Sequence, residues 1–160
     1  MTTALLLVAM VCLDQASPAP PPFVLTAPAG NAVNGAAVLE GRRRVIIYVS
    51  PDIEPAARLV AALRRWQEGD PARWQERVSV IVAAPVPEAR AWLAAHWGDG
   101  APPNWFADPD ASGWRALGFQ GSLGVAGLSR GIVEWKLDGV INDPVVLEPS
   151  IRAWVEGTEP

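Results

Sequence analysis

The run Val45-Ile46-Ile47-Tyr48-Val49 constrains this chain more than any other stretch. Consecutive β-branched and aromatic residues with no polar alternation suit a strand that has apolar neighbours on both faces, as in a mostly parallel sheet covered by helices. Ser50-Pro51-Asp52 ends the run, and a helix opens near Ile53, with Pro55 in the first turn where a missing N–H costs nothing. Ile53, Ala56, Val60 and Leu63 recur at spacings of three and four, which gives that helix one apolar face. Gly69-Asp70-Pro71 breaks the pattern before a second strand, Val78-Ser79-Val80-Ile81-Val82. Pro85 and Pro87 open a second helix, Glu88 to Trp97, which Gly98-Asp99-Gly100 stops. A strand, a helix and a strand in this order imply a right-handed crossover and a parallel pair.

The second half adds smaller elements. Phe23-Val24-Leu25, far upstream, is a short apolar stretch followed by a Gly/Asn/Ala-rich connection. Trp105-Phe106 suits a short strand, Ser112 to Leu117 a short helix and Gly131 to Lys136 a strand. Leu137-Asp138-Gly139 reads as a hairpin turn leading into Val140-Ile141, because Asp-Gly supplies the positive φ that tight hairpins need. Pro149 to Glu156 makes the last helix. The expected fold class is α/β: a mixed sheet, built from a parallel βαβ unit and a C-terminal hairpin, with helices on both faces.

Composition removes whole classes of chemistry. A net charge of −4 argues against a nucleic-acid partner, and Arg42-Arg43-Arg44 is read as a solvated turn that guards the strand behind it. Cys12 is the sole cysteine and His96 the sole histidine, so zinc and two-histidine iron sites lack ligands, and no metal or other cofactor is expected. His96 falls near a helix C-terminus, where a partly cationic imidazole suits the dipole. Gly118-Phe119-Gln120-Gly121-Ser122-Leu123-Gly124 lacks the lysine of a phosphate loop and reads as a flexible loop. Eight tryptophans are unusual for 160 residues, and some of them are candidates for an exposed patch facing a protein or a membrane.

Residues 1–22 are set apart as a signal-like or membrane-tethering segment. Ala4 to Leu13 is apolar but too short to cross a bilayer, which takes about 20 residues. Small residues at Ala16-Ser17-Pro18-Ala19 suit cleavage, and Pro18 to Pro22 suits a stiff spacer. Export, lipidation at Cys12, a disulfide from Cys12 to another chain, and a plain extra strand or disordered tail are the alternatives left open; export or tethering is favoured, with residues 23–160 as one domain outside the cytoplasm.

This order of elements, together with three stretches, resembles the thioredoxin-like superfamily, and within it the exported peroxiredoxin-related, cytochrome-maturation and methylamine-utilisation branches. Val45 to Pro51 resembles the central strand that runs into the redox motif. Val125-Ala126-Gly127-Leu128-Ser129 resembles the V-x-G-x-P stretch, and Leu137 to Ile141 the D-G-x-I hairpin. The resemblance implies that the paired cysteines of C-x-x-C fall here on Ile53 and Ala56, and that the cis-proline falls on Ser129. A cis bond before a non-proline costs about 2.5–4 kcal/mol, so Leu128–Ser129 is expected to be trans.

Dithiol exchange needs a thiolate, and neither motif position supplies one. The expected role is therefore non-catalytic: a module that binds a protein partner as an accessory subunit or assembly factor of a membrane-associated complex. Its candidate surface is the former active-site edge, Asp52, Ile53, Glu54, Leu128 and Ser129. The alternative is an enzyme that uses Asp52 and Glu54 as acid and base, which requires a pocket that raises one carboxyl pKa. The plainer reading makes Asp52 a helix cap and Glu54 a dipole partner, a carboxylate there gaining about 0.3–1 kcal/mol.

Overall fold

A computed structural model of the chain describes residues 19–98, 101–139 and 143–157. Among these residues the strands are β1 Val24–Thr26, β2 Ala32–Asn34, β3 Arg44–Val49, β4 Val78–Val82, β5 Trp105–Ala107, β6 Leu123–Ser129 and β7 Ile132–Asp138. They form one sheet in the order β2-β1-β5-β4-β3-β6-β7. The helices are α1 Gly35–Leu39, α2 Glu54–Trp66, α3 Pro71–Arg77, α4 Val86–Trp97, α5 Ser112–Leu117 and α6 Glu148–Glu156, with 3-10 turns at Gln67–Gly69 and Pro144–Leu147.

The apolar run becomes β3, which lies between β4, its parallel neighbour, and β6, its antiparallel one. Alternate residues of an extended strand point to opposite faces. Val45, Ile47 and Val49 enter a core with Leu59 and Leu63 of α2, Leu93 of α4 and Ile151 of α6. Ile46 and Tyr48 enter a second core with Val38 of α1, Leu117 of α5, Phe23 and Phe119. Both faces of the mixed sheet are thus covered, which requires the unalternated sequence of β3.

Several expectations need correction. Gly69-Asp70-Pro71 starts a helix as well as ending one: Asp70 Oδ1 accepts from Arg73 N at 3.3 Å, and Pro71 opens α3. The connection after Leu25 contains β2 and α1, the latter capped by Asn34, whose Oδ1 accepts from Ala36 N at 3.0 Å. Helix α4 begins at Val86, ahead of the expected Glu88. The largest correction concerns the hairpin. β6 and β7 are joined at Arg130-Gly131, both with positive φ, 52° and 78°, as a two-residue hairpin turn demands. Leu137 and Asp138 instead pair with Val125 and Gly124 within the ladder, and Val140 and Ile141 lie outside the described residues. Leu123 and Gly124, expected in a flexible loop, open β6.

None of the eight tryptophans is among the exposed large apolar side chains. Trp66, Trp74, Trp97 and Trp105 are buried, and the other four are half-buried. Trp135 and Trp154 meet edge-on at 5.9 Å, Arg43 lies 4.9 Å over Trp154, and Trp154 Nε1 donates to the Arg44 carbonyl at 3.0 Å. Residues 1–18, Cys12 among them, lie outside the described residues, so the readings of that segment gain no structural counterpart. No described helix is long and apolar enough to cross a membrane.

Candidate functional site

Strands β3, β4 and β5 run the same way, and β6 starts opposite the last residue of β3. Their connections therefore gather at one end of the sheet: Ser50–Ile53 after β3, Ala83–Pro85 after β4, Asp108–Ala111 after β5 and Gly118–Ser122 before β6. In open α/β sheets this carboxyl end is where ligands bind. Packing there is close, since a side chain on Gly121 would collide with the backbone of Gly139.

The turn into α2 holds the two residues expected at the cysteine positions. Ile53 is the N-cap residue, with φ −105° and ψ 114°; its N–H donates to the Ser50 carbonyl at 3.2 Å and its carbonyl accepts from Ala56 N at 3.0 Å. Ala56 is fully buried, and Ile53 is half-buried against the core below α2. Both occupy the first turn after the central strand as packing residues.

Asp52 does not cap the helix. Its carboxylate accepts from the Ser50 hydroxyl, two residues back, and the cap position has no side-chain hydrogen bond. Glu54 sits in the first turn, its side chain 80% exposed, and pairs with Arg58 Nε at 3.5 Å. Such an exposed pair contributes little, about 0.3–0.5 kcal/mol. Neither carboxylate has the desolvated surroundings that acid–base chemistry requires. A groove of about 710 Å³ lies at the opposite end of the sheet and is lined by Arg42, Arg44, Arg77 and Asn104 among others.

Leu128 and Ser129 are at that opposite end too. Across β3 and β6, Val49 faces Leu123 and Arg44 faces Leu128, so the full length of β3, roughly 16 Å at 3.3 Å per residue, separates Leu128 from the α2 turn. Leu128 is buried, and Ser129 borders the Arg130-Gly131 turn. The V-x-G-x-S reading slid the family pattern along β6, and in an antiparallel strand that moves a residue to the wrong end. The strand residue beside the α2 turn is Leu123. Asp52, Ile53 and Glu54 stay together; Leu128 and Ser129 leave the site. All described peptide bonds, Leu128–Ser129 included, are trans.

Two features escaped the sequence reading. Asp108 is 1% exposed and organises the loop after β5: it accepts from Tyr48 Oη at 2.7 Å, Ser112 N at 2.9 Å, Ser112 Oγ at 3.0 Å and Gly113 N at 2.9 Å. Burial first, and then the hydrogen bond and charge of Asp108, push the Tyr48 hydroxyl well above the usual phenol range. Tyr48 also packs on Trp114 at 4.9 Å, so the β5–α5 loop is pinned to β3 from below. The available signal was an aspartate a few residues ahead of a predicted helix. The second feature is Val145 and Val146, 53% and 66% exposed in the 3-10 turn that packs on α2. They follow the end of β7, which lies at the same end of the sheet as the α2 turn. His96 is half-buried against Trp92, ring centroids 5.0 Å apart, and among the described residues no three His, Cys, Asp or Glu side chains gather as metal ligands.

No protein-family model matches the chain, and no curated protein matches its sequence. Solved structures do. A DsbE protein from Chlorobium tepidum, named for thiol:disulfide interchange, superposes with a TM-score of 0.66 at 20% identity over 89% of this chain and 99% of its own. A secreted Mycobacterium tuberculosis disulfide oxidoreductase homologous to Escherichia coli DsbE gives 0.61 at 14% identity, over 82% of this chain and 95% of its own. The exposed lipoprotein thioredoxin Etrx1 of Streptococcus pneumoniae gives 0.56 at 10% identity, over 82% and 98%. At such identities the likeness concerns the fold, and the fold is thioredoxin-like. The single cysteine of the chain, Cys12, lies outside that turn, and the two positions expected for C-x-x-C hold Ile53 and Ala56.

Proposed function

We propose that this thioredoxin-like chain is a binding module without dithiol exchange, which docks a protein partner over the turn that in its redox-active structural neighbours carries chemistry. The observation that carries the reading is the pair Ile53 and Ala56: the backbone turn is kept, while a buried methyl and a half-buried isoleucine fill it. A surface of Asp52, Ile53 and Glu54 combines a half-buried isoleucine with a charged rim, the composition of a partner-binding patch, and Val145 and Val146, exposed in the 3-10 turn that packs on α2, add apolar area. Leu128 and Ser129 have no part in it.

The partner we envisage belongs to a membrane-associated complex outside the cytoplasm, where the chain serves as an accessory subunit or assembly factor. Two of the structural neighbours are a secreted protein and an exposed lipoprotein, and the apolar run Ala4 to Leu13 suits export or tethering. Affinity isolation from detergent extracts of the native membranes tests this. The expected result is a stoichiometric partner retained by the wild type and by Arg130→Ala, and lost from Ile53→Arg. A partner indifferent to Ile53→Arg, a chain without any partner, or measurable reduction of insulin disulfides by the pure protein would overturn it.

A further inference from the structure

We propose that the chain forms a two-fold symmetric dimer by pairing the outer edge of β7 with the same edge of a second copy. β7 is the last strand of the sheet, seven residues long, and among the described residues no strand covers its outer side. An edge of this length presents a row of unpaired backbone donors and acceptors. It also carries Ile132 and Leu137, two of the five large apolar side chains exposed among the described residues.

The sequence of the edge, Ile132-Val133-Glu134-Trp135-Lys136-Leu137-Asp138, favours a copy of itself in one register. With antiparallel copies centred on Trp135, Glu134 of each faces Lys136 of the other, so the two-fold axis makes the ion pair twice. Centring on Glu134 sets that carboxylate against its own copy. Centring on Lys136 sets two ammonium groups together and Glu134 against Asp138. Like charges facing each other across strands are unfavourable, and opposite charges are favourable by about 0.2–1 kcal/mol each. Bulges and charges commonly guard an edge against stray pairing; here they select a register, because the signs are complementary about Trp135. Glu134 is exposed and has no partner on β6, since the register shifts between Gly127 and Leu128. Lys136 Nζ donates to the Gly118 carbonyl at 2.6 Å, which leaves the ammonium two further donors. The interface is isologous, as closed two-fold dimers require.

Sedimentation of the full chain over a range of concentrations tests the proposal. Wild type should dimerise, and Glu134→Lys should weaken the dimer by about tenfold or more, because two attractive pairs become repulsive and tenfold corresponds to ~1.4 kcal/mol. The double exchange Glu134→Lys with Lys136→Glu should recover the wild-type constant to within about threefold. Thermal melts establish that each variant is folded. If Lys136→Glu melts early through loss of its Gly118 contact, Glu134→Lys must still weaken the dimer more than Glu134→Gln does. A wild type that stays monomeric, a dimer indifferent to Glu134→Lys, or a folded double variant no better than the single one would overturn the proposal.

Discussion

The two ends of β3 are built on different principles. At its C-terminal end the chain leaves Val49 into an open turn whose charged side chains bond locally, Asp52 to Ser50 and Glu54 to Arg58. At its N-terminal end side chains and main chain lock together. Arg77 Nη1 donates to the carbonyls of Val155 at 2.8 Å and Gly157 at 3.4 Å, Trp154 Nε1 to that of Arg44, and Arg130 N to that of Gly41 at 2.9 Å. One end is held from below, and the surface side chains of its turn bond to near neighbours in sequence; the other commits its residues to closure. Stability and binding should therefore separate along a single strand.

The sharpest break in that comparison is Asp108→Ala, which removes the support beneath the open end. It strips one acceptor from four hydrogen bonds and orphans the buried Tyr48 hydroxyl, so a loss of about 3 kcal/mol or more in chemical denaturation is expected. Next is Arg77→Met at the locked end. Hydrogen bonds to a charged group contribute about 1.5–3 kcal/mol, and that loss should appear without any change in partner binding. A third probe uses the single tyrosine of the chain. Folding raises the pKa of Tyr48, so above pH of about 10, where the unfolded chain loses its phenol proton, stability should fall, by at most about 1.4 kcal/mol per pH unit. Tyrosinate absorbance should emerge only with unfolding, and Tyr48→Phe should abolish that component of the slope. The smallest stability effect belongs to the open end: Glu54→Gln should cost no more than about 0.5 kcal/mol, measured by thermal melting, since its ion pair is exposed.

The same contrast explains what was legible in the sequence. β3, β4, α2 and α5 were readable because burial imposes a pattern on them; the unbroken run at β3 follows from having helices on both faces. Helix α3 hid because only Trp74 of its seven residues is buried, leaving a cap and a proline as its sole marks. The hairpin was misplaced because Asp138-Gly139 looks like a better two-residue turn than Arg130-Gly131, yet tertiary pairing imposes positive φ on an arginine. Leu128 and Ser129 were expected beside the α2 turn from the V-x-G-x-S stretch, which by itself does not say which end of β6 it occupies. Ile53 and Ala56 fall in the first turn after the central strand, as expected, because they follow directly from the end of β3, with no register to misjudge.

The claim on which the rest depends is that Ile53 and Ala56 stand where a related oxidoreductase keeps two sulfurs. Replacing both by cysteine and counting free thiols after mild oxidation tests it directly. Their three-residue spacing across the first turn of α2, closed by the 3.0 Å bond from Ala56 N to the Ile53 carbonyl, suits the Cα separation a disulfide needs. The double variant should lose two titratable thiols in an intramolecular, reducible bond and keep only Cys12. A folded double variant that retains all three thiols after oxidation would contradict the assignment.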